Sequence, residues 1–187
     1  MNLGNDYYFA DFRAFVNDLE RRGKLYRWRQ RVNKDTELMP LMRLQYRGLP
    51  DDKRQVLLFE NICDGNGKQF EVKVATGMYG SSRQILGLGM GCEDPATIYE
   101  KWHRALSKPL QPRIIDFSPL QEEVYSGARL NQFGLTDLPA PVEEPGFSCG
   151  IRVTAPFITK DPETGMRNVG MYSGHFRDQH KLIAGIA

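Results

Sequence analysis

A chain of 187 residues with 25 Lys and Arg against 23 Asp and Glu has a formal net charge of +2, too small to mark a nucleic-acid binder. Hydrophobic residues make up 41% and charged residues 26%, which excludes a disordered, collagenous or highly charged tail protein and leaves room for one sizeable core or two small ones. The three cysteines, Cys63, Cys92 and Cys149, lie far apart with no CxxC pair, so neither a disulfide framework nor a zinc ribbon is expected. Free thiols suit a reducing compartment, most simply the cytoplasm. No basic stretch precedes an apolar run at the N-terminus, as a signal peptide requires, and no apolar run approaches the roughly 20 residues needed to cross a bilayer.

The spacing of Phe9, Phe12, Val16 and Leu19 predicts an amphipathic helix over 6–22, with Asp6 as N-cap and Gly23 just past its end. Leu25–Arg29 alternates like a short strand. A second helix is expected over 35–46, although Pro40 sits uncomfortably inside it. Gln55–Glu60 reads as an apolar strand and Phe70–Thr76 as an alternating one, separated by the turn residues Asp64-Gly65-Asn66-Gly67. Helices are expected over 81–88, opening at Ser81 or Ser82, and over 95–107. In the latter, Asp94 caps, Pro95 occupies the first turn, and Ile98, Trp102 and Leu106 share a face. The texture changes near residue 108, where prolines frame the way into a β region. Ile151–Lys160 and Asn168–Phe176 flank Asp161-Pro162-Glu163-Thr164-Gly165, which predicts a hairpin, and Lys181–Ala187 begins a third strand. That last strand leaves Leu182, Ile183, Ile186 and Ala187 wanting cover, which points to a longer polypeptide or a second chain.

Most candidate chemistry is better read as structure. Gly87-Leu88-Gly89-Met90-Gly91 follows a helix rather than a strand, so it is a helix end rather than a phosphate cradle. His103, His175 and His180 lack the further ligands that a zinc site needs. No GxSxG or Cys–His pairing supports a nucleophile. Glu143 and Glu144, adjacent on an extended chain, point opposite ways and read as solvated acids. The basic stretch from Arg21 to Arg31, interleaved with Tyr26 and Trp28, has the look of a single-strand binder, but the near-neutral total favours a solvated face.

The hairpin is more specific. Ile158-Thr159-Lys160-Asp161-Pro162-Glu163-Thr164-Gly165, followed by Arg167-Asn168-Val169-Gly170-Met171-Tyr172, resembles the UbiD family of reversible aromatic-acid decarboxylases almost residue for residue. Asp11-Phe12-Arg13 to Leu25, Leu57–Asn61, Gly80–Arg83 with Leu86-Gly87, and Pro139-Ala140-Pro141 are similar to further segments of that family, so the resemblance covers essentially the whole chain.

The resemblance implies an α+β fold, with an N-terminal α/β region over 1–107. The start of a split-β-barrel flavin-binding domain would follow over 108–187, incomplete at its C-terminal end because the family's chains are longer. It implies a carboxy-lyase that uses prenylated FMN, with Mn2+ (or Mg2+) and K+ at the flavin phosphate. The substrate would be an aromatic or heteroaromatic acid or an aryl-CoA compound, with CO2 as co-product. A prenyl-flavin synthase would supply the cofactor, and the protein would be a cytoplasmic homo-oligomer with no nucleic-acid or membrane partner. By position, Asn168 matches the metal-binding Asn, Val169, Gly170 and Met171 match the strand along the flavin, and Thr154 lines the pocket. The remaining metal ligands and the catalytic glutamates would fall beyond residue 187. Ser173 takes the place of the family's catalytic Arg, and serine carries no positive charge and forms no bidentate carboxylate contact. Arg167 and Arg177 are the candidate stand-ins. The alternative is a non-catalytic flavin-binding subunit that completes its site with another chain.

Overall fold

The computed structural model describes residues 8–111, 113–144, 146 and 151–185. In chain order its elements are α1 (Phe12–Arg21), β1 (Leu25–Trp28), β2 (Val32–Asn33), α2 (Leu38–Gly48), β3 (Val56–Phe59), β4 (Ile62–Cys63), β5 (Gln69–Phe70), β6 (Val74–Thr76), α3 (Arg83–Gly89), α4 (Ile98–Leu106), β7 (Arg152–Lys160), β8 (Arg167–Phe176) and β9 (Leu182–Ala184). The class is α+β, as expected, with three small sheets ordered β1-β3-β6, β2-β4-β5 and β7-β8-β9. None of these described sheets closes into a barrel. The chain forms two compact units that interleave along the sequence. One contains Met1–Gln30, Leu41–Glu60 and Lys73–Glu122, the other Arg31–Pro40, Asn61–Val72 and Glu123–Ala187. The change of texture near residue 108 therefore falls inside the first unit.

In the first unit, α1 begins later than its apolar spacing suggests, because Asp11 caps it: its carboxylate accepts the Ala14 N–H at 2.7 Å. Asp6 lies outside the described residues. Gly23, with φ +66°, ends the helix. Its N–H donates to Glu20 O and that of Lys24 to Leu19 O, the two bonds of a Schellman closure. The stripe facing the core is Phe15, Val16 and Leu19, while Phe12 is 55% exposed. Phe9 stands outside the helix with its ring 4.8 Å from that of Phe15. These residues pack with Leu25, Val56, Leu58, Met78, Ile85 and Leu88.

β3 pairs in parallel with β1 and antiparallel with β6. All four of its residues are buried, so both faces of this central strand are covered and its sequence is an unbroken apolar run. Pro40 is tolerated because α2 starts at Leu38, which places the proline in the first turn, where its missing N–H has no partner to lose. Ser82 caps α3, and the glycine-rich stretch after it is a second Schellman closure. Cys92 N–H donates to Gly87 O, Gly91 N–H donates to Leu88 O, and Gly91 has φ +68°. Residues 95–97 form a 3-10 turn before α4. The expected core face of α4 is not buried, with Trp102 53% and Leu106 63% exposed.

In the second unit, β2 lies parallel to β4, which pairs antiparallel with β5. Asp64 builds the expected turn by accepting the N–H groups of Asn66 and Lys68 at 2.9 Å each. The Phe70 ring carries the ammonium groups of Lys34 and Lys68 at 5.8 and 5.2 Å from its centroid. The single strand expected over 70–76 is instead two pieces, β5 and β6, in different sheets. The hairpin is as expected. β7 and β8 run in antiparallel register from Arg152↔His175 to Lys160↔Arg167, and β9 adds to β8. β7 is an edge strand and carries Pro156. Ile186, Ala187 and Cys149 lie outside the described residues.

Candidate functional site

The hairpin turn is held by its first residue. The Asp161 carboxylate accepts the N–H groups of Thr164 at 2.6 Å and Glu163 at 2.9 Å, and Gly165 closes the turn with φ +73°. The Thr164 bonds, followed by that of Glu163, hold the Asp161 carboxyl below the ordinary carboxylate range. Two long strands are thereby locked in one register, which decides which side chains share a face.

Because side chains alternate, cross-strand partners lie on the same side. One face carries Val153, Ala155, Phe157, Gly170, Tyr172 and Gly174, which are half-buried or buried. The other carries Arg152, Thr154, Pro156, Ile158, Val169, Met171, Ser173 and His175, all exposed. The predicted site residues therefore divide. Thr154, Val169, Met171 and Ser173 share the exposed face, whereas Asn168 and Gly170 point to the other side.

On the exposed face, Ile158 (74% exposed), Val169 (63%) and Met171 (64%) form with Pro156 an apolar ledge, while Ile183 of β9 stands beside His175 at the far end of the hairpin. Next to the ledge, Thr154 and Ser173 are directly paired, with hydroxyl oxygens 3.2 Å apart. Asn168, opposite Thr159 near the turn, is exposed, and its carboxamide has no hydrogen-bond partner among the described residues. The space above Gly170 is taken by the Tyr172 ring, 2.4 Å from where a Cβ would stand. This ring also packs edge-on against Phe157.

The ledge would suit a planar ring, and the carboxamide oxygen of Asn168 is a donor that a hard cation accepts, but the strand register sets Asn168 on the side opposite the ledge. Among the described residues no group of three His, Cys, Asp or Glu side chains could hold a metal ion. His180 is engaged elsewhere, its Nε2 lying 3.0 Å from Leu130 O.

The two candidate replacements for the missing arginine differ in placement. Arg167 shares the exposed face with Ser173 but stands six residues along the strand, roughly 20 Å away. Arg177 lies past the end of β8, where its N–H donates to Lys181 O. Arg152, which sequence reasoning passed over, is on the same face and diagonal to Ser173 across the hairpin. Its guanidinium binds Glu143, so Glu143 is not simply a solvated acid. The register implied by the turn, which pairs 152 with 175, was the available signal.

Elsewhere, the first unit has an open cavity of about 420 Å3 lined by Phe9, Phe12, Phe15, Tyr79, Met90 and Lys101, and none of the predicted site residues borders it. Several cations of the basic stretch are paired with carboxylates. Arg21 and Arg22 bind Asp18, Arg22 also binds Glu93, and Arg27 bridges Glu20 and Glu60. Lys73 and Arg27 hold the Glu60 carboxyl below its usual range. Such pairing leaves little charge for a phosphate backbone.

Residues 16–106 match the 3-octaprenyl-4-hydroxybenzoate carboxy-lyase N-terminal domain, that of UbiD. The chain carries the N-terminal domain of the UbiD family. The wider UbiD likeness extends over the hairpin. An uncharacterised protein of Aquifex aeolicus is 28% identical over 94% of this chain and 38% of its own length. The UbiD-class enzyme HmfF from Pelotomaculum thermopropionicum, solved with FMN, is 27% identical and superposes with a TM-score of 0.75 over 94% of this chain and 36% of that enzyme. An evolved dimeric form of HmfF was solved with prFMN. The 3,4-dihydroxybenzoic acid decarboxylase of Enterobacter cloacae, 21% identical, shares the fold with a TM-score of 0.76 over 98% of this chain and 37% of its own. The chain thus spans little more than a third of the length of these relatives. No helix among the described residues is long and apolar enough to cross a membrane.

Proposed function

We propose that the chain is the N-terminal part of a UbiD-like reversible decarboxylase of aromatic or heteroaromatic acids, or of aryl-CoA substrates, that works with prenylated FMN. The observation supporting this is the exposed apolar ledge of the β7–β8 hairpin, in a chain 27% identical to an enzyme solved with FMN. Loss of CO2 leaves an electron pair on an sp2 carbon that no side chain delocalises, and prenylated FMN supplies the electron sink when bound. Val169 and Met171, with Ile158 and Pro156 of β7, seat the flavin ring and keep water from its face. Thr154 lines the adjoining pocket. Asn168 offers its carboxamide oxygen to Mn2+ or Mg2+, which with K+ offsets the charge of the flavin phosphate.

In this reading residues 1–107 form the N-terminal region and residues 108–187 begin the flavin-binding domain. The acid–base carboxylates and other metal ligands come from further polypeptide, so the 187 residues alone are inactive. A prenyl-flavin synthase provides the cofactor, and the assembly is a cytoplasmic homo-oligomer. A second reading, a flavin-binding subunit that completes its site with another chain, draws support from the lack of a three-ligand group among the described residues.

The test is a flavin-fluorescence titration of the chain with FMN, for the wild type and for Met171→Glu. Placing a carboxylate on the ledge should weaken binding about tenfold or more, because the charge must be desolvated beneath the ring. Equal affinities would overturn the reading.

A further inference from the structure

Helix α4 turns its apolar side to water. Its half-buried side chains are Ile98, Lys101 and Arg104, spaced three apart, and none of its residues is fully buried. Tyr99, Trp102, His103 and Leu106 recur at the spacing of one helix face, and all four are exposed, Tyr99 by 74%. The chain leaving the helix carries Leu110, Ile114, Ile115 and Phe117, each more than half exposed. Three of these side chains are aromatic and able to bury about 150–250 Å2 apiece, so the helix face and the segment after it offer on the order of 800 Å2. A standard interface takes about that area from each partner. A monomer rarely leaves more than roughly a few hundred Å2 of apolar surface open in one patch.

The stripe also matches itself. Its positions are symmetric about the point between Trp102 and His103. A second α4 running antiparallel therefore sets Tyr99 against Leu106 of the second copy and Trp102 against its His103, each contact occurring twice. Glu100 is exposed on the flank of the stripe, on the same side as His103. In the antiparallel pair it comes within two residues of His103 of the second copy, about 3 Å along the axis, so a carboxylate acceptor meets an imidazole donor at two symmetric places. The opposed helices also place their dipoles head to tail. We propose that this face binds a second copy of the chain through a twofold, antiparallel α4–α4 contact. The inference rests on the reading above only for the expectation of a homo-oligomer, to which it gives a surface, and it is independent of the flavin ledge.

The experiment is sedimentation velocity on the whole chain over the micromolar range, with circular dichroism to show that each variant is folded. The wild type should pass from monomer to dimer as its concentration rises. Trp102→Glu should weaken association about thirtyfold or more, the cost of losing a central aromatic anchor, and should keep the wild-type spectrum because the side chain fills no core. Glu100→Lys should weaken it less. Combining Glu100→Lys with His103→Glu should restore it, because the exchange leaves opposite charges facing each other between the copies. A chain that stays monomeric throughout, as it would if further polypeptide covered the stripe, overturns the proposal. So does a dimer indifferent to Trp102→Glu, and a doubly exchanged variant no tighter than Glu100→Lys overturns the antiparallel register. FMN affinity, read by fluorescence, should be the same in Trp102→Glu and wild type. Equal FMN affinity in Met171→Glu and wild type would refute the flavin reading instead, so the two failures are distinguishable.

Discussion

Asn168→Ala separates a ligand from a structural residue. Asn168 is exposed and its carboxamide has no partner among the described residues, so truncation removes neither a buried contact nor a satisfied hydrogen bond. The stability change should stay within about 0.5 kcal/mol, the usual range for a surface substitution. For a chain of this size that is a shift in Tm of no more than about 2 °C. Binding should respond quite differently. If the carboxamide oxygen holds a cation shared with the flavin phosphate, then Mn2+ and FMN must each tighten the other, by linkage. The assay is an FMN titration with and without Mn2+. Wild type should show a Mn2+-dependent gain in flavin affinity, and Asn168→Ala should reduce that gain at least about tenfold. A gain that survives the substitution would refute the role of Asn168. So would a large fall in Tm, because it would show that the side chain serves the fold.

Other perturbations test the scaffold. Leu19→Ala empties a fully buried position in the first unit's core and should cost about 2–5 kcal/mol in denaturant unfolding. Gly91→Ala forces a side chain into a left-handed conformation at φ +68° and should cost about 1 kcal/mol, with helix α3 fraying in amide exchange. Asp161 has a depressed carboxyl pKa, so its stabilisation of the hairpin turn is present above its unfolded pKa and is lost as pH falls through the folded one. Exchange of the Thr164 and Gly165 amides should therefore accelerate, relative to amides of the first unit, as pH drops below about 4, and Asp161→Asn should abolish that pH dependence.

Where local chemistry decides structure, the sequence was readable. The Asp161–Gly165 turn, the Asp64–Gly67 turn, the Ser82 cap and the glycine closure after α3 are all set within a few residues. The readings that failed depend on partners. Phe70, Val72 and Val74 alternate like one strand, yet Val72 is 44% exposed, because β5 pairs with β4 and β6 with β3. β2 and β4, two residues each, are too short to leave a periodic trace. In α4 the apolar spacing is genuine, but Trp102 and Leu106 face outward in this chain, and periodicity identifies a stripe without saying what it meets. The candidate site shows the same division. The hairpin motif located the ledge, but splitting Asn168 and Gly170 from Val169, Met171 and Ser173 required the strand register, as did finding Arg152.

The proline at the outer strand has a colloidal consequence. β7 offers an open row of backbone groups to any passing strand, and the ledge beside it is sticky, the pairing of features that seeds fibrils. Pro156 sits midway along that row with no hydrogen to donate, so an added strand would lose a ladder bond there. The exposed apolar surface is in this way kept from templating its own copies, and Pro156→Val should give up that protection, visible as thioflavin-positive aggregates from an otherwise folded chain.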